Sequence, residues 1–220
     1  MSAGVGIEWA KRPQLDAGIA AILQSRFRGR CSELKASALR RYLPAEFSVD
    51  DVAQDMAALV TTTGTRVWVV ATRAGARPML AHPDKDHPEA KDVARQLLLE
   101  TISGYASPRY FAPATWLLIW DIGDAGALSD FSASLRTFRN RVSGFTLPTA
   151  LTPVMLGGLS HEWSGIQIAD FYANLALHYY GRSLSLLDVK EDRAAAFETR
   201  LMPTLKRDNY GKLVGWKVWQ

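Results

Sequence analysis

The stretch SHEWSGIQIADFYANLALHYYG, residues 160–181, combines a helical pattern of apolar residues with a stripe of polar ones. Its apolar residues recur at three- and four-residue spacing, which predicts a long helix over about 165–180 that ends at Gly181. Four polar residues follow the same spacing and form one stripe along that helix: Gln167, Asp170, Asn174 and His178. A solvated helix face is the simpler interpretation of this stripe. The apolar neighbours instead favour a largely buried Asp170, whose carboxylate then needs a metal, a cation or hydrogen-bond donors.

A second carboxylate follows an apolar run in the middle of the chain. Residues 116–120 read Trp-Leu-Leu-Ile-Trp, and the run ends abruptly at Asp121. An apolar run without alternation is typical of a central strand that is buried on both faces. Ligands bind at the carboxyl ends of the strands in open α/β sheets, so Asp121 is a candidate ligand-binding residue. A turn-forming aspartate before Gly123 is the alternative.

A third carboxylate, Glu33, lies in the segment Ser-Glu-Leu-Lys at 32–35, which we expect to begin a helix. Alone, a glutamate at a helix start is a common way to stabilise the helix dipole. With Asp121 and Asp170 it completes a set of three carboxylates, the ligands that Mg²⁺ and Mn²⁺ prefer. Without a metal such carboxylates would repel one another and raise one another's pKa. Metal ions held in this way activate water and stabilise the departing oxygen in phosphodiester hydrolysis.

Strands and helices alternate along the chain, which predicts an α/β fold. No linker rich in Pro, Gly or Ser divides the sequence, so residues 1–220 are expected to form a single domain. The predicted strands, with a short aromatic tail as the last of the set, cover 4–9, 66–73, 116–120, 151–156 and 213–219. The predicted helices begin at Pro13 and at Ser32 and cover 50–59, 90–105, 131–142, 165–180 and 194–202.

The composition is that of an ordinary globular protein, with 48% hydrophobic and 22% charged residues among 220. It excludes a disordered chain, and the apolar run at 116–120 is far below the roughly 18 residues that a membrane helix needs. The single cysteine, Cys31, cannot form an internal disulfide, and residues 1–13 lack the apolar stretch of a signal peptide. We therefore expect a cytoplasmic protein without a membrane partner. The formal net charge of +4 is compatible with a polyanionic partner and does not require one.

Three of these segments together resemble the domain of unknown function 3800 family of bacterial and phage proteins. The resemblance rests on Glu-Leu-Lys at 33–35, on the apolar strand that ends in Asp121, and on Gly-Ile-Gln-Ile-Ala-Asp at 165–170. It implies a ribonuclease H-like fold, a mixed sheet flanked by helices, with a two-metal site built from Glu33, Asp121 and Asp170. Family members usually begin with a strand that carries Asp-Glu-Ser-Gly. This sequence does not contain that segment, so the expected fold is shortened at its amino end.

Basic residues are candidates for contacts with the phosphates of a nucleic acid, and these are Lys35, Arg40, Arg41, Arg136 and Arg139. The alternative is a solvated helix face balanced by acids. That alternative is weak over 136–141, because the nearest acid upstream is Asp130. Trp216 and Trp219 could stack on bases, but packing as a terminal strand is the expected outcome.

Two further candidates for chemistry are weaker. The segment His-Pro-Asp-Lys-Asp-His at 82–87 holds four potential metal ligands, yet its proline and lysine indicate a solvated loop. Cys31 follows Arg30, which would lower the pKa of the thiol. No histidine partner is evident nearby, so we expect a structural thiol.

The sequence thus predicts a Mg²⁺- or Mn²⁺-dependent nuclease that hydrolyses the phosphodiesters of a nucleic acid. Asp121 and Asp170 would bind the metal, and Glu33 would bind it too or orient the attacking water. A catalytically degenerate binding or assembly module is the alternative, and the missing opening strand favours it. An incomplete opening sheet would also leave an edge that a partner strand could cover, which predicts a homodimer or a complex.

Overall fold

The computed structural model describes residues 1–72, 98, 101, 116–121, 151–186, 188–208 and 210–219. These residues form a mixed α/β structure. The described strands are β1 (Ser2–Gly6), β2 (Arg66–Thr72), β3 (Trp116–Asp121), β4 (Leu151–Gly158) and β5 (Trp216–Trp219). The described helices of a turn and a half or more are α1 (Arg12–Phe27), α2 (Ala36–Tyr42), α3 (Val49–Thr63), α4 (Ser164–Ser183) and α5 (Glu191–Ala196).

β2 is the central strand of a mixed three-stranded sheet in the order β1–β2–β5. β1 pairs with it antiparallel, with Ser2 opposite Val70, and β5 pairs with it in parallel, with Val69 opposite Trp216. The side chains of residues 67–71 are all buried, as expected for an apolar strand with a neighbour on each side. The strand predicted at 66–73 is confirmed, whereas the first strand ends at Gly6 and not at residue 9.

β3 and β4 pair in parallel and form a second, two-stranded sheet among the described strands. In its register Asp121 lies opposite Gly158, at the carboxyl ends of both strands. The strands predicted at 116–120 and 151–156 are confirmed. Because parallel strands end at the same edge, the segment that follows β4 begins beside Asp121.

Helices α1, α3 and α4 share one apolar core with β2. Each helix buries residues at three- and four-residue spacing: Leu15, Ile19 and Ile22 on α1, Val52, Met56 and Val60 on α3, and Ile168, Phe171 and Leu175 on α4. α1 has Pro13 in its first turn, where the lost amide has no helical partner anyway. α3 begins with a capping box in which Ser48 and Asp51 bond each other's backbone amides. The three helices predicted from periodicity in these regions are confirmed.

Two helix ends differ from the predictions. Residues 32–35 are not helical, because the amide of Leu34 donates to the side chain of Gln167 and α2 begins only at Ala36. Gly181 does not end α4, which runs on to Ser183. The φ of Gly181 is not positive, and an added Cβ would lie 3.1 Å from Val189 Cγ2. The missing side chain of Gly181 therefore serves close packing and not a left-handed helix cap.

The last predicted helix, at 194–202, begins earlier and is irregular. α5 continues through a π-helical turn, Phe197–Leu201, into a 3-10 turn, Met202–Thr204. The proline at the second position of that 3-10 turn cannot donate the amide hydrogen that a regular helix would use there.

The predictions for 82–87, 90–105 and 131–142 lie outside the described residues, apart from Leu98 and Thr101, which are helical and buried. Among the described helices, none combines the length and the apolar character that crossing a bilayer requires.

Candidate functional site

Glu33 is fixed where the loop before α2 meets the turn before α4. Its Oε2 accepts a 2.6 Å hydrogen bond from Ser160 Oγ, and its Oε1 lies 2.9 Å from Lys35 Nζ. Ser160 is buried in the turn between β4 and α4. The side chain of Glu33 keeps 27% of its surface exposed. The carboxylate is thus held in one orientation and still reached by solvent.

The buried side chain of Gln167 holds this arrangement together. Its Oε1 accepts a 2.7 Å hydrogen bond from the amide of Leu34, and its Nε2 donates to the carbonyl of Ser160 at 2.9 Å. One side-chain amide therefore ties both sides of the Glu33–Ser160 contact to α4. In the sequence Gln167 is only one member of a polar stripe, and no pattern around Ser160 predicts its contact with Glu33. The spacing of Gln167 before Asp170 was the one available hint.

The pairing of β3 with β4 brings Asp121 to the same edge. Its backbone lies opposite Gly158, one strand spacing of about 4.8 Å away, and Ser160 follows Gly158 by two residues. The main chain of Asp121 is therefore near the Glu33–Ser160 contact. The side chain of Asp121 lies outside the described residues, so its carboxylate stays a predicted ligand.

Asp170 lies on α4, one turn beyond Gln167, and its side chain is exposed. The expectation of a largely buried Asp170 is therefore wrong. A residue three positions further along a helix is displaced by about 60° around the axis and about 4.5 Å along it. Gln167 is buried against the loop that holds Leu34, whereas Asp170 is exposed. An exposed carboxylate in this place can meet a cation from solvent without a burial penalty.

The other two residues of the polar stripe hold α5 against α4. Asn174 Oδ1 accepts a 2.6 Å hydrogen bond from Arg193 Nη1, and His178 Nδ1 accepts from the amide of Lys190 at 3.3 Å. Burial lowers the pKa of His178, and the positive charges of Arg193 and Lys190 lower it further. His178 is therefore neutral at neutral pH and suited to accept this bond. Asn174 and His178 thus serve the packing of α5 on α4, whereas Gln167 and Asp170 belong to the candidate site.

The surroundings of Glu33 favour its ionised form. Partial burial alone raises the pKa of the carboxyl group, but the hydrogen bonds from Ser160 and Lys35 and the charges of Lys35 and His161 outweigh that effect. The pKa of Glu33 consequently lies below its ordinary value. A negative carboxylate at neutral pH is what a metal ligand or a water-orienting group requires.

Glu33→Gln is expected to cost stability at neutral pH and much less in acid. A pKa that is lower in the folded state contributes stability above the unfolded-state pKa, about 4.5, and loses it as the pH falls through the folded-state pKa. The difference in urea midpoint between the wild type and the variant should be full at neutral pH and shrink below about pH 4. A difference that is the same at both ends of this range would contradict the charge-dependent contact.

The residues predicted to contact phosphates differ in their surroundings. Lys35 is paired with Glu33, so it compensates the charge of that carboxylate. Arg40 and Arg41 are exposed on α2. The remaining basic candidates lie outside the described residues, and these are Arg136 and Arg139.

The surroundings of Cys31 and Trp216 indicate a role in packing for both residues. Burial raises the pKa of the Cys31 thiol and the negative charge of Glu33 raises it further, so the lowering expected from the preceding arginine is wrong. Trp216 packs against Tyr179 and Phe197, with ring centroids 5.8 and 5.6 Å away. The prediction that Trp216 packs as part of a terminal strand is confirmed.

Within the described residues, no group of three or more His, Cys, Asp or Glu could hold a metal ion. Because the carboxylate of Asp121 lies outside this description, the trio of Glu33, Asp121 and Asp170 stays a prediction. No protein-family model, curated protein or solved structure matches this chain.

Proposed function

We propose that this chain is a cytoplasmic, Mg²⁺- or Mn²⁺-dependent nuclease with a ribonuclease H-like fold, of the domain of unknown function 3800 type. The observation that carries the proposal is the hydrogen bond between Ser160 and Glu33, residues 127 positions apart. It joins the loop before α2 to the turn after β4, beside the end of β3 and at the start of α4. The elements that bear Glu33, Asp121 and Asp170 therefore meet at one edge.

The described carboxylates are chemically suited to a hard divalent cation. Glu33 is ionised, and each of its oxygens accepts one hydrogen bond and retains a further lone pair. Glu33, Asp121 and Asp170 would hold the ion, which when bound supplies Lewis-acid activation of water and of the phosphodiester. Ser160 orients the carboxylate of Glu33 for this role. Lys35 compensates its charge, and Arg40 and Arg41 offer exposed cations for the phosphate backbone.

Calorimetric titration with Mn²⁺ tests the proposal. The wild type should bind with a Kd below about 10⁻⁴ M, and Asp170→Asn and Glu33→Gln should each weaken binding by at least about tenfold. Asp188→Asn is the matched control, because Asp188 is an exposed aspartate with a positive φ, a conformation that asparagine tolerates as well. Its Mn²⁺ affinity should equal that of the wild type.

Cleavage of labelled DNA and RNA in the presence of Mn²⁺ is the matching activity measurement. The wild type and Asp188→Asn should cleave, and Glu33→Gln and Asp170→Asn should not. A wild type that binds no Mn²⁺, or four proteins with equal Mn²⁺ affinity, would contradict the nuclease proposal.

A catalytically degenerate binding or assembly module is the second candidate. It is favoured by the same contact, because Ser160 and Lys35 already give each oxygen of Glu33 a hydrogen-bond donor without a metal ion. β1 pairs only with β2 among the described strands, so within that part of the chain its outer edge has no partner strand and could accept one. In this role the chain would form a homodimer or a complex through that edge. Sedimentation velocity that shows only a monomer would exclude the homodimer.

A further inference from the structure

An aromatic and cationic cluster, formed by Trp9, Arg12 and Trp163, lies beside the candidate site. The guanidinium carbon of Arg12 is 4.1 Å from the ring centroid of Trp163 and 5.2 Å from that of Trp9. The centroids of the two indoles are 6.4 Å apart, with 48° between the ring planes. Arg12 Nε also lies 3.3 Å from Asp16, one turn further along α1. The ion pair and the two rings together hold the guanidinium in position without a ligand.

Trp9 is the exposed member of this cluster. It keeps 64% of its surface exposed, in the 3-10 turn (Trp9–Lys11) between β1 and α1. An exposed indole next to a guanidinium presents a flat, electron-rich face together with a positive charge. A nucleotide, which joins a flat base to a phosphate, is recognised by the same two features. The chemistry of this surface therefore favours a nucleic-acid ligand over an apolar one.

Direct contacts connect the cluster to the candidate site. Trp163 packs over Gly158, where an added Cβ would lie 2.6 Å from Trp163 Cδ1. The amide of Trp163 donates to the carbonyl of Ser160 at 3.4 Å, and the hydroxyl of Ser160 donates to Glu33 at 2.6 Å. Trp9 is thus linked to Glu33 through Trp163 and Ser160. A single strand of a few nucleotides that crosses the site would reach both Trp9 and Glu33.

We propose that the exposed face of Trp9, supported by Arg12, stacks on an unpaired base of a single-stranded nucleic acid whose backbone reaches Glu33. This inference rests on the proposed function and narrows its substrate class. In a duplex both faces of an internal base are already stacked, whereas an unpaired base offers a face to the indole. Stacking tolerates every base, so we expect little sequence preference.

Fluorescence anisotropy with a fluorescein-labelled single-stranded oligonucleotide of mixed sequence, in EDTA to prevent cleavage, tests this inference. Trp9→Ala should raise the Kd by about tenfold, and Trp9→Phe, which keeps a ring, should stay within about threefold of the wild type. Tyr210→Ala is the matched control, since Tyr210 is an aromatic residue that is 94% exposed and lies outside the cluster. It should bind as the wild type does. The duplex of the same sequence should bind the wild type and Trp9→Ala equally.

Thermal melts followed by circular dichroism establish that the variants are folded, which we expect because Trp9 is exposed. Equal single-strand affinities of the wild type, Trp9→Ala and Tyr210→Ala would overturn the inference. No single-strand binding by the wild type, or an equal loss of duplex binding in Trp9→Ala, would overturn it too.

The inference and the nuclease proposal fail in different ways, because EDTA removes the metal-dependent step from the binding assay. Oligonucleotide binding that depends on Trp9, without Mn²⁺ binding at Glu33 and Asp170, refutes the nuclease and leaves the stacking surface. Mn²⁺-dependent cleavage with no effect of Trp9→Ala on single-strand affinity refutes the stacking surface alone.

Discussion

Gln167→Leu is expected to destabilise the protein by about 3 kcal/mol and to release the loop that carries Glu33. Leucine has a similar volume and a high helix propensity, so α4 itself should persist. The amide of Leu34 and the carbonyl of Ser160, however, both lose the side chain that they bond. A buried backbone group that loses its partner costs about 1–3 kcal/mol. Urea unfolding followed by circular dichroism measures the loss.

Hydrogen exchange provides a second readout of the same variant. The amide of Leu34 should exchange slowly in the wild type and rapidly in Gln167→Leu. Gln14→Leu is the matched control, because Gln14 is exposed on α1, and it should change the stability by less than about 0.5 kcal/mol. If Gln167→Leu were as stable as this control, or if Leu34 kept its protection, Gln167 would not be the anchor of the site.

Gly215→Ala is expected to destabilise the protein by about 4 kcal/mol. An added Cβ would lie 2.5 Å from the amide nitrogen of Lys206 and 2.6 Å from the carbonyl oxygen of Val67, both of them backbone atoms that cannot rotate away. These segments would have to separate, which strains the bonds from Val69 N to Gly215 O and from Gly215 N to Lys206 O. The midpoint of thermal unfolding should fall accordingly.

Gly165→Ala is the control for this substitution. An added Cβ at Gly165 meets nothing closer than Val5 Cγ1 at 4.0 Å, and the position lies in the first turn of α4. Alanine there should leave the stability unchanged or raise it by about 0.5 kcal/mol, because glycine loses more backbone freedom on folding. Similar melting temperatures for Gly215→Ala and Gly165→Ala would contradict the close approach of the chain at Gly215.

The elements that the sequence predicted well are those whose apolar residues follow a regular pattern. The apolar spacing of α1 and the unbroken apolar runs of β2 and β3 are patterns of neighbouring residues. They therefore predict these elements without knowledge of what packs against them. The ends of elements were less predictable. Gly181 looks like a helix stop, but Val189 packs against it from another segment, and no local pattern records that contact.

The candidate site was predictable only in part. Glu33, Asp121 and Asp170 are singled out by residue type and by their places in strands and helices. The segments that bear Glu33 and Asp170 meet through the bond of Leu34 to Gln167, and Asp121 lies opposite Gly158. Their surroundings were misjudged, since Glu33 lies in an irregular loop and Asp170 is exposed. Trp9 was missed, because an aromatic residue after a short strand is usually a core residue.

From the sequence alone follow the α/β class, the apolar faces of α1, α3 and α4, and the position of Asp121 at a strand end. The folded arrangement was needed to show that Ser160 bonds Glu33 across 127 positions and that Gln167 bonds Leu34 across 133. The physical reason is that apolar periodicity is a property of neighbouring residues, whereas a polar side chain is satisfied by whichever donor or acceptor packing brings to it. At this site the tertiary packing, and not a local sequence pattern, determines the hydrogen-bond partners of Glu33 and Gln167.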